Sequence, residues 1–268
     1  MCGSAIICEE ASMVTAARQP GVAGGLARRH WLAGIVAAAW SVRAAAQDSR
    51  PLVIFGDDSY PPVIHLAQGR PQGFLVDVLE RVEPRLQVRF DVQLMPWKRA
   101  YVMALREQGG LIGVSRNQER EALFDFSRPI YNDDIRVVVL KGRGFPFKDL
   151  ADLRGRRIGG VSGASYGERV DAAIRDGLFT VDRDIGQVSR LRKLLAGRLD
   201  AAFIGNGERG FEFQVASHAE LKEHRDKFEL LPVPLARDPL HLAFPKALQQ
   251  REFLAQFDQL TKELKLQV

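Results

Sequence analysis

Cysteine is almost missing from this 268-residue chain: Cys2 and Cys8, both near the start, are the whole supply. Downstream of them the sequence excludes a disulfide, a thiolate metal site, a catalytic thiol and a lipid-bearing N-terminal cysteine. Histidine is scarce as well. His30, His65, His218, His224 and His241 stand far apart, without the short spacings of a metal site. No P-loop, no dinucleotide fingerprint, no HExxH helix and no G-x-S-x-G elbow is present, so the motifs imply no cofactor and no hydrolase of those kinds. An excess of one charge is also lacking. The chain has 38 Lys and Arg against 33 Asp and Glu, too even for a nucleic-acid partner, which calls for a dense basic face.

Long apolar runs are confined to one place. Trp31 to Val42 follows the basic stretch Ala27-Arg28-Arg29-His30 and precedes Ala44-Ala45-Ala46. The order basic, apolar, small is that of an export leader, with cleavage expected before Gln47, and the apolar part is too short to span a bilayer. Arg28 and Arg29 leave the general and the twin-arginine routes open, and Met13 is an alternative start. The predicted mature chain, 47–268, is periplasmic. Without the leader's four arginines and two glutamates its balance is +3, a solvated surface rather than a charged platform.

Along that chain, strand and helix signals alternate. Pro51 to Gly56, Val88 to Leu94 and Leu111 to Val114 read as strands; Gly73 to Leu86 and Trp97 to Arg106 read as helices. Asp57 to Pro62 is expected as a loop because of its two prolines. A second block repeats the order. Strands are expected at Ile135–Leu140, Arg157–Val161 and Asp200–Ile204, and helices at 162–176 and Val188–Ala196. Extended segments follow at Leu230–Pro234 and Leu240–Phe244, then a closing helix over Gln249–Leu266. The expectation is an α/β protein of two lobes, each a mixed sheet flanked by helices. Lobe 1 takes 47–134 and returns over 232–268, lobe 2 takes 135–231, and two hinge crossings fall near 132–135 and 231–236. A cleft between such lobes is where a ligand sits.

Two strand-to-helix turns carry the chemistry. In Gly113-Val-Ser115-Arg-Asn117-Gln-Glu-Arg120, Asn117 is the expected N-cap and Arg120 lies in the first helical turn. A cation there opposes the helix dipole, which is tolerable if its planar fork grips a carboxylate. Local pairing with Glu119 or Glu121 is the plainer alternative. In Val161-Ser162-Gly163-Ala164-Ser165-Tyr166, small residues let backbone N–H groups approach an anion, or simply provide an N-cap. Tyr60 and Trp97 are candidate cleft walls, and Trp97 also suits a core.

Six segments taken in order resemble family 3 of the extracellular solute-binding proteins, the receptors of polar amino-acid ABC importers: YPP (60–62), GFLVDVLERV (73–82), GVSRNQER (113–120), FDFSRPIY (124–131), DLRGRRIGGVSGAS (152–165) and GRLDAAF (197–203). The resemblance implies a type II periplasmic-binding fold that closes like a flytrap, a membrane permease as partner, a monomer, no metal, no cofactor and no catalysis. It implies that Arg120 holds the ligand carboxylate with the Ser115 and Ser165 N–H groups, and that the Gly113 carbonyl accepts from the ligand ammonium. Tyr60 and Trp97 would line the cleft, and Gly163, Ala164, Ser165 and Tyr166 would engage on closure. Relatives carry an aspartate for the ammonium shortly after the segment matching GRLDAAF. Here Gly205 falls at that position, so Asn206, Glu208 or Asp57 substitutes, or the ligand is not an ordinary α-amino acid. Two other readings share the scaffold: an exported enzyme similar to cyclohexadienyl dehydratases, with Glu208 as its acid, and a ligand sensor for a membrane kinase.

Overall fold

The computed structural model describes residues 50–266. The leader, its cleavage site and both cysteines lie outside the described residues. Strand β1 (Leu52–Asp57) is followed by β2 (Ser59–Tyr60), β3 (Ile64–Ala67) and β4 (Arg70–Gln72), which form a small antiparallel sheet. The expected loop at 57–62 is therefore partly a strand. Ser59 and Tyr60 pair with His65 and Ile64, and the prolines sit in the turn beyond them, where no ladder hydrogen bond is needed.

Helix α1 (Phe74–Leu86) buries Leu75, Val78, Leu79 and Val82 at helical spacing and ends at Gln87 in the left-handed region. Next come β5 (Phe90–Met95), α2 (Trp97–Leu105), β6 (Gly110–Ser115), the short α3 (Gln118–Leu123) and β7 (Phe124–Phe126). β1 pairs in parallel with β5 and β6, and the helices between them supply the crossovers that parallel strands require. Leu75, Val78, Ile112, Leu242 and Phe257 fill one face of this sheet; Phe55, Trp97, Leu111, Val114 and Phe124 fill the other.

Strand β8 (Tyr131–Leu140) carries the chain out of this half. The second half contains β9 (Arg157–Val161), α4 (Glu168–Arg175), β10 (Thr180–Asp184), α5 (Gln187–Leu195), β11 (Ala201–Ile204), α6 (Gly207–Ala216), α7 (Ala219–Glu223) and β12 (Phe228–Leu230). Side chains alternate across its sheet. Val137, Val139, Ala201 and Phe203 enter one core, while Val138, Ala202 and Ile204 enter the other. Strand β13 (Ala236–Pro245) returns, and α8 (Arg251–Glu263) closes on the first half.

The path of sheet neighbours is β10-β9-β11-β8-β13-β6-β1-β5. The lower part of β8 pairs with β13 (Tyr131 opposite Leu240, Ile135 opposite Ala236), and its upper part pairs with β11 and β12. One strand thus leaves the first sheet and enters the second, and the segment leading into β13 brings the chain back beside it. This is a two-lobed α/β fold with two crossings.

The helix expected from Ser162 starts later, at Glu168. Gly163 (φ 77°) and Gly167 (φ 86°) hold the turn in a backbone region closed to ordinary residues, so 162–167 is a loop ahead of the helix. Helices α6 and α7 and strand β10 had no expectation in the sequence.

Candidate functional site

The two halves touch across a crevice, and the sequence motifs lie along it. Asn117 caps α3, its side chain accepting from the Arg120 N–H at 2.9 Å. That cap fixes the first turn and sends the Arg120 side chain inward, where it is 4% exposed. Its Nη1 donates to the Ser115 carbonyl at 2.9 Å and its Nη2 to the Gly163 carbonyl of the opposite half at 3.1 Å. The guanidinium carbon lies 5.1 Å from the Tyr101 ring centre and 5.8 Å from that of Trp97, a stacking geometry that suits a cation. No carboxylate among the described residues pairs with it; Glu121 instead pairs with Arg116 at 2.5 Å. The alternative of a surface Arg120 paired with Glu119 or Glu121 is thereby corrected. A buried cation left without an anion is costly.

Trp97 serves both suggested roles. Its ring packs with Phe55 and Phe124, and its Nε1 donates to the same Gly163 carbonyl at 3.0 Å. Asn117 Nδ2 reaches Ser165 Oγ at 3.2 Å and Ser59 Oγ reaches the Ile185 carbonyl at 2.9 Å. The crevice is closed in this structure, and these contacts close it.

Behind them is an inner cavity of about 80 Å³, room for a few waters. Asp57, Tyr60, Trp97, Gly113, Ser115, Ala164, Ser165 and Tyr166 of the sequence-derived set line it. Arg120 and Gly163 lie instead on an adjoining outer cleft of about 810 Å³, which shares Ala164 and Ser165 with the cavity. Asn206 lines neither. It is the left-handed N-cap of α6, its side chain accepts from the Tyr131 hydroxyl, and its N–H donates to Asp133. Glu208 is exposed on α6 and takes no part in the cavity, so it is not the positioned acid that an enzyme reading assigned to it.

The second turn is not an open anion site. Asp171 of α4 reaches back, accepting from the Ser165 hydroxyl and from the Tyr166 N–H. A protein carboxylate already fills the place that the sequence offered to a ligand. Tyr166 is buried, with its hydroxyl accepting from the Val161 N–H at 2.7 Å, and it contributes the side of its ring.

Sequence reasoning missed the acidic end of the cavity. Asp133 on β8 and Asp238 on β13 line it together with Asp57. Burial pushes Asp133 up to about 6, Asp238 to about 7 and Asp57 to about 6 from 3.8, with the neighbouring carboxyl adding to the rise at each. Gly205 is the wall beside Asp133. A Cβ there would collide with the Tyr60 hydroxyl and lie 2.9 Å from Asp133 Oδ2. A side chain carried by residue 205 has no room beside Tyr60 and Asp133. The signal was legible in part: two aspartates interrupt the strand-forming run YNDDIRVVVL where aspartate is disfavoured.

A second arginine, Arg190, also borders the cavity. Asp184 neutralises it, with Nη2 to Oδ1 at 2.9 Å and Nε to Oδ2 at 3.2 Å, and both side chains are buried. It supports the wall of the second half.

Residues 52–267 match the family described as bacterial extracellular solute-binding proteins, family 3. The probable amino-acid-binding protein YxeM of Bacillus subtilis (strain 168) is 23% identical over 234 residues, covering 82% of this chain and 83% of that protein. Among solved structures, a histidine kinase sensor domain with similarity to periplasmic binding proteins superposes with a TM-score of 0.70 at 20% identity, over 81% of this chain and 92% of that one. The arginine-, lysine-, histidine-binding protein ArtJ from the thermophilic bacterium Geobacillus stearothermophilus superposes with a TM-score of 0.63 at 22% identity, over 80% and 89%. At those identities the likeness is one of fold.

Proposed function

The chain belongs to the bacterial extracellular solute-binding proteins, family 3, and we propose that it is a non-catalytic periplasmic receptor for a small carboxylate-bearing solute of the amino-acid kind, handed to the permease of an ABC importer. One observation carries the ligand class: Arg120 is buried at the mouth of the interlobe cavity with carbonyls on its fork and no carboxylate among the described residues ion-paired with it. A ligand carboxylate offers that fork a charge-assisted, bidentate partner that neutral carbonyls do not. In the open form the Gly163 carbonyl withdraws with its own half and frees Nη2. The ligand then binds the first half and the second closes over it, a two-state change driven by contacts made only on closing.

The lobes of this receptor run over 47–134 with 232–268, and over 135–231. Residues 1–46 are its leader, cut near Ala46, and it acts as a monomer. Native mass spectrometry of freshly purified protein tests the reading: a co-purified species bearing a carboxylate supports it, and an uncharged sugar bound in the crevice would end it. A sensor role involves the same capture step and differs only in the partner. The fold shared with a kinase sensor domain keeps that partner in view, and a kinase gene rather than permease and ATPase genes beside this one would select it.

A further inference from the structure

Asp133 and Asp238 stand directly opposite each other in the β8–β13 ladder. Opposed residues of an antiparallel pair put their side chains on one face, where like charges repel. Both are buried, 6% and 4% exposed, and both line the inner cavity. Neither forms an ion pair among the described residues. Asp133 accepts from the Asn206 N–H at 2.5 Å, and Asp238 from the Ser115 hydroxyl at 2.5 Å. A carboxylate has about four acceptor positions, so each keeps capacity facing the cavity.

A second, independent feature lies across from them. Gln187, the first residue of α5, lines the same cavity at 3% exposure, and neither its amide oxygen nor its amide nitrogen has a partner. The Tyr60 hydroxyl is buried beside Asp133 and faces its carboxyl. Buried polar groups in folded proteins are nearly always hydrogen-bonded. An unpartnered amide lining the same cavity as two facing carboxyls defines a place made for a polar guest, and the acids define its charge.

We propose that Asp133 and Asp238, face to face on the strands that join the two halves, form with the Gln187 amide a subsite for a protonated nitrogen of the ligand. The proposal rests on the receptor reading and adds to it. The cation is held by the crossing strands themselves, not by a side chain at position 205, where Tyr60 and Asp133 leave no space. Arg120 at the outer cleft takes the opposite end, so the site selects a solute with a positive and a negative group.

The cation replaces a proton that burial holds on the facing acids. The charges around that proton are known from every packed element. Asp57 comes from β1, Asp134 from β8 and Asp171 from α4; Arg120 comes from α3, and Arg190 from α5 is already paired with Asp184. Tyr60 and Tyr131 are held neutral, their hydroxyls pushed above the usual range by burial.

Titration calorimetry of the 47–268 protein with agmatine, L-arginine and succinate tests this. Agmatine has cations only, succinate anions only, and arginine both. The expected result is binding of arginine and weaker binding of agmatine, with net proton release at pH 6.5 in buffers of different ionisation enthalpy. D133N and D238N should each weaken both by at least tenfold and reduce the proton release. Wild-type proton release stands as the test if a variant fails to fold. Binding of succinate alone would overturn the subsite and leave the receptor reading intact. Cation binding that is unchanged in D133N and D238N would overturn it too. Absence of binding by all three probes overturns the subsite, and the co-purified ligand then decides the receptor reading separately.

Discussion

Arg120 of the first half donates Nη2 to the carbonyl of Gly163 in the second half, 3.1 Å away. The same carbonyl accepts from Trp97 Nε1 at 3.0 Å, so a single backbone oxygen receives two of the side chains that the first half sends across the crevice. In the closed form that oxygen stands where a carboxylate would compete.

Replacing Arg120 tests that competition. R120A should lower ligand affinity by on the order of 100-fold, the scale of a buried, charge-assisted bidentate contact. R120K should recover part of it, since an ammonium supplies charge without the planar fork. Calorimetry against the co-purified ligand reads both, and unchanged affinity in R120A would remove Arg120 from the site.

Trp97 reports closure. It is the one tryptophan among the described residues, and its indole N–H is bonded across the crevice. Opening exposes that bond to water, so ligand addition should shift Trp97 emission to the blue in protein lacking the leader. The W97F variant, which keeps the ring's packing and loses the donor, should close less readily and bind several-fold more weakly.

Gly205 is a steric prediction. A methyl group there meets the Tyr60 hydroxyl and Asp133 Oδ2, so G205A should destabilise the protein by ~1–3 kcal/mol, the usual range for overpacking. Y60F in the same chain should restore part of the loss by removing the oxygen in the way. Urea denaturation of the two variants checks the order.

Asp133 and Asp238 make stability depend on pH. Their carboxyls titrate at about 6 and about 7 in the folded chain, against 3.8 unfolded, mainly because burial disfavours the charge. The folded protein therefore holds protons that the unfolded chain releases. The associated stability is complete below about pH 4 and is lost as pH rises through 6 and 7. Ligand-free D238N should be more stable than the parent at pH 8 by on the order of 2–4 kcal/mol, with the difference vanishing at pH 4. Thermal melts at both values decide it; a variant less stable at pH 8 would contradict the burial argument.

For the Asp184–Arg190 pair, replacing the aspartate by asparagine should destabilise the protein. Both side chains are buried, with Nη2 2.9 Å from Oδ1, and Arg190 also donates to the Phe203 carbonyl. D184N leaves the guanidinium buried without its anion and should cost ~3–5 kcal/mol, whereas an apolar replacement of both residues should cost far less. Chemical denaturation of the single and double variants distinguishes a pair kept for stability from one kept to shape the wall.

Much of the architecture could be read locally. Helical spacing marked α1 and α2, apolar runs marked β1, β6 and β11, and Asn117 marked the cap that aims Arg120. The second turn was misjudged because the small residues 162–165 look like the opening of a helix, while the positive φ values of Gly163 and Gly167 postpone it. A glycine at position 205, where the resemblance implies an aspartate, was visible, but the two acids lining the cavity beside it were not. Asp133 and Asp238 become neighbours only through the register of β8 against β13, and no periodicity within either strand specifies that register.

The order of residues alone therefore settled the alternation of strands and helices, the two-block organisation and the arginine at a capped turn, because backbone preference and side-chain spacing act over a few positions. Only the folded chain decided that two acids would face one another, that Asp171 would occupy the second turn and that Gln187 would point unpartnered into the cavity. Those outcomes depend on which distant segments come to lie side by side, and burial then changes the charge that each group can carry.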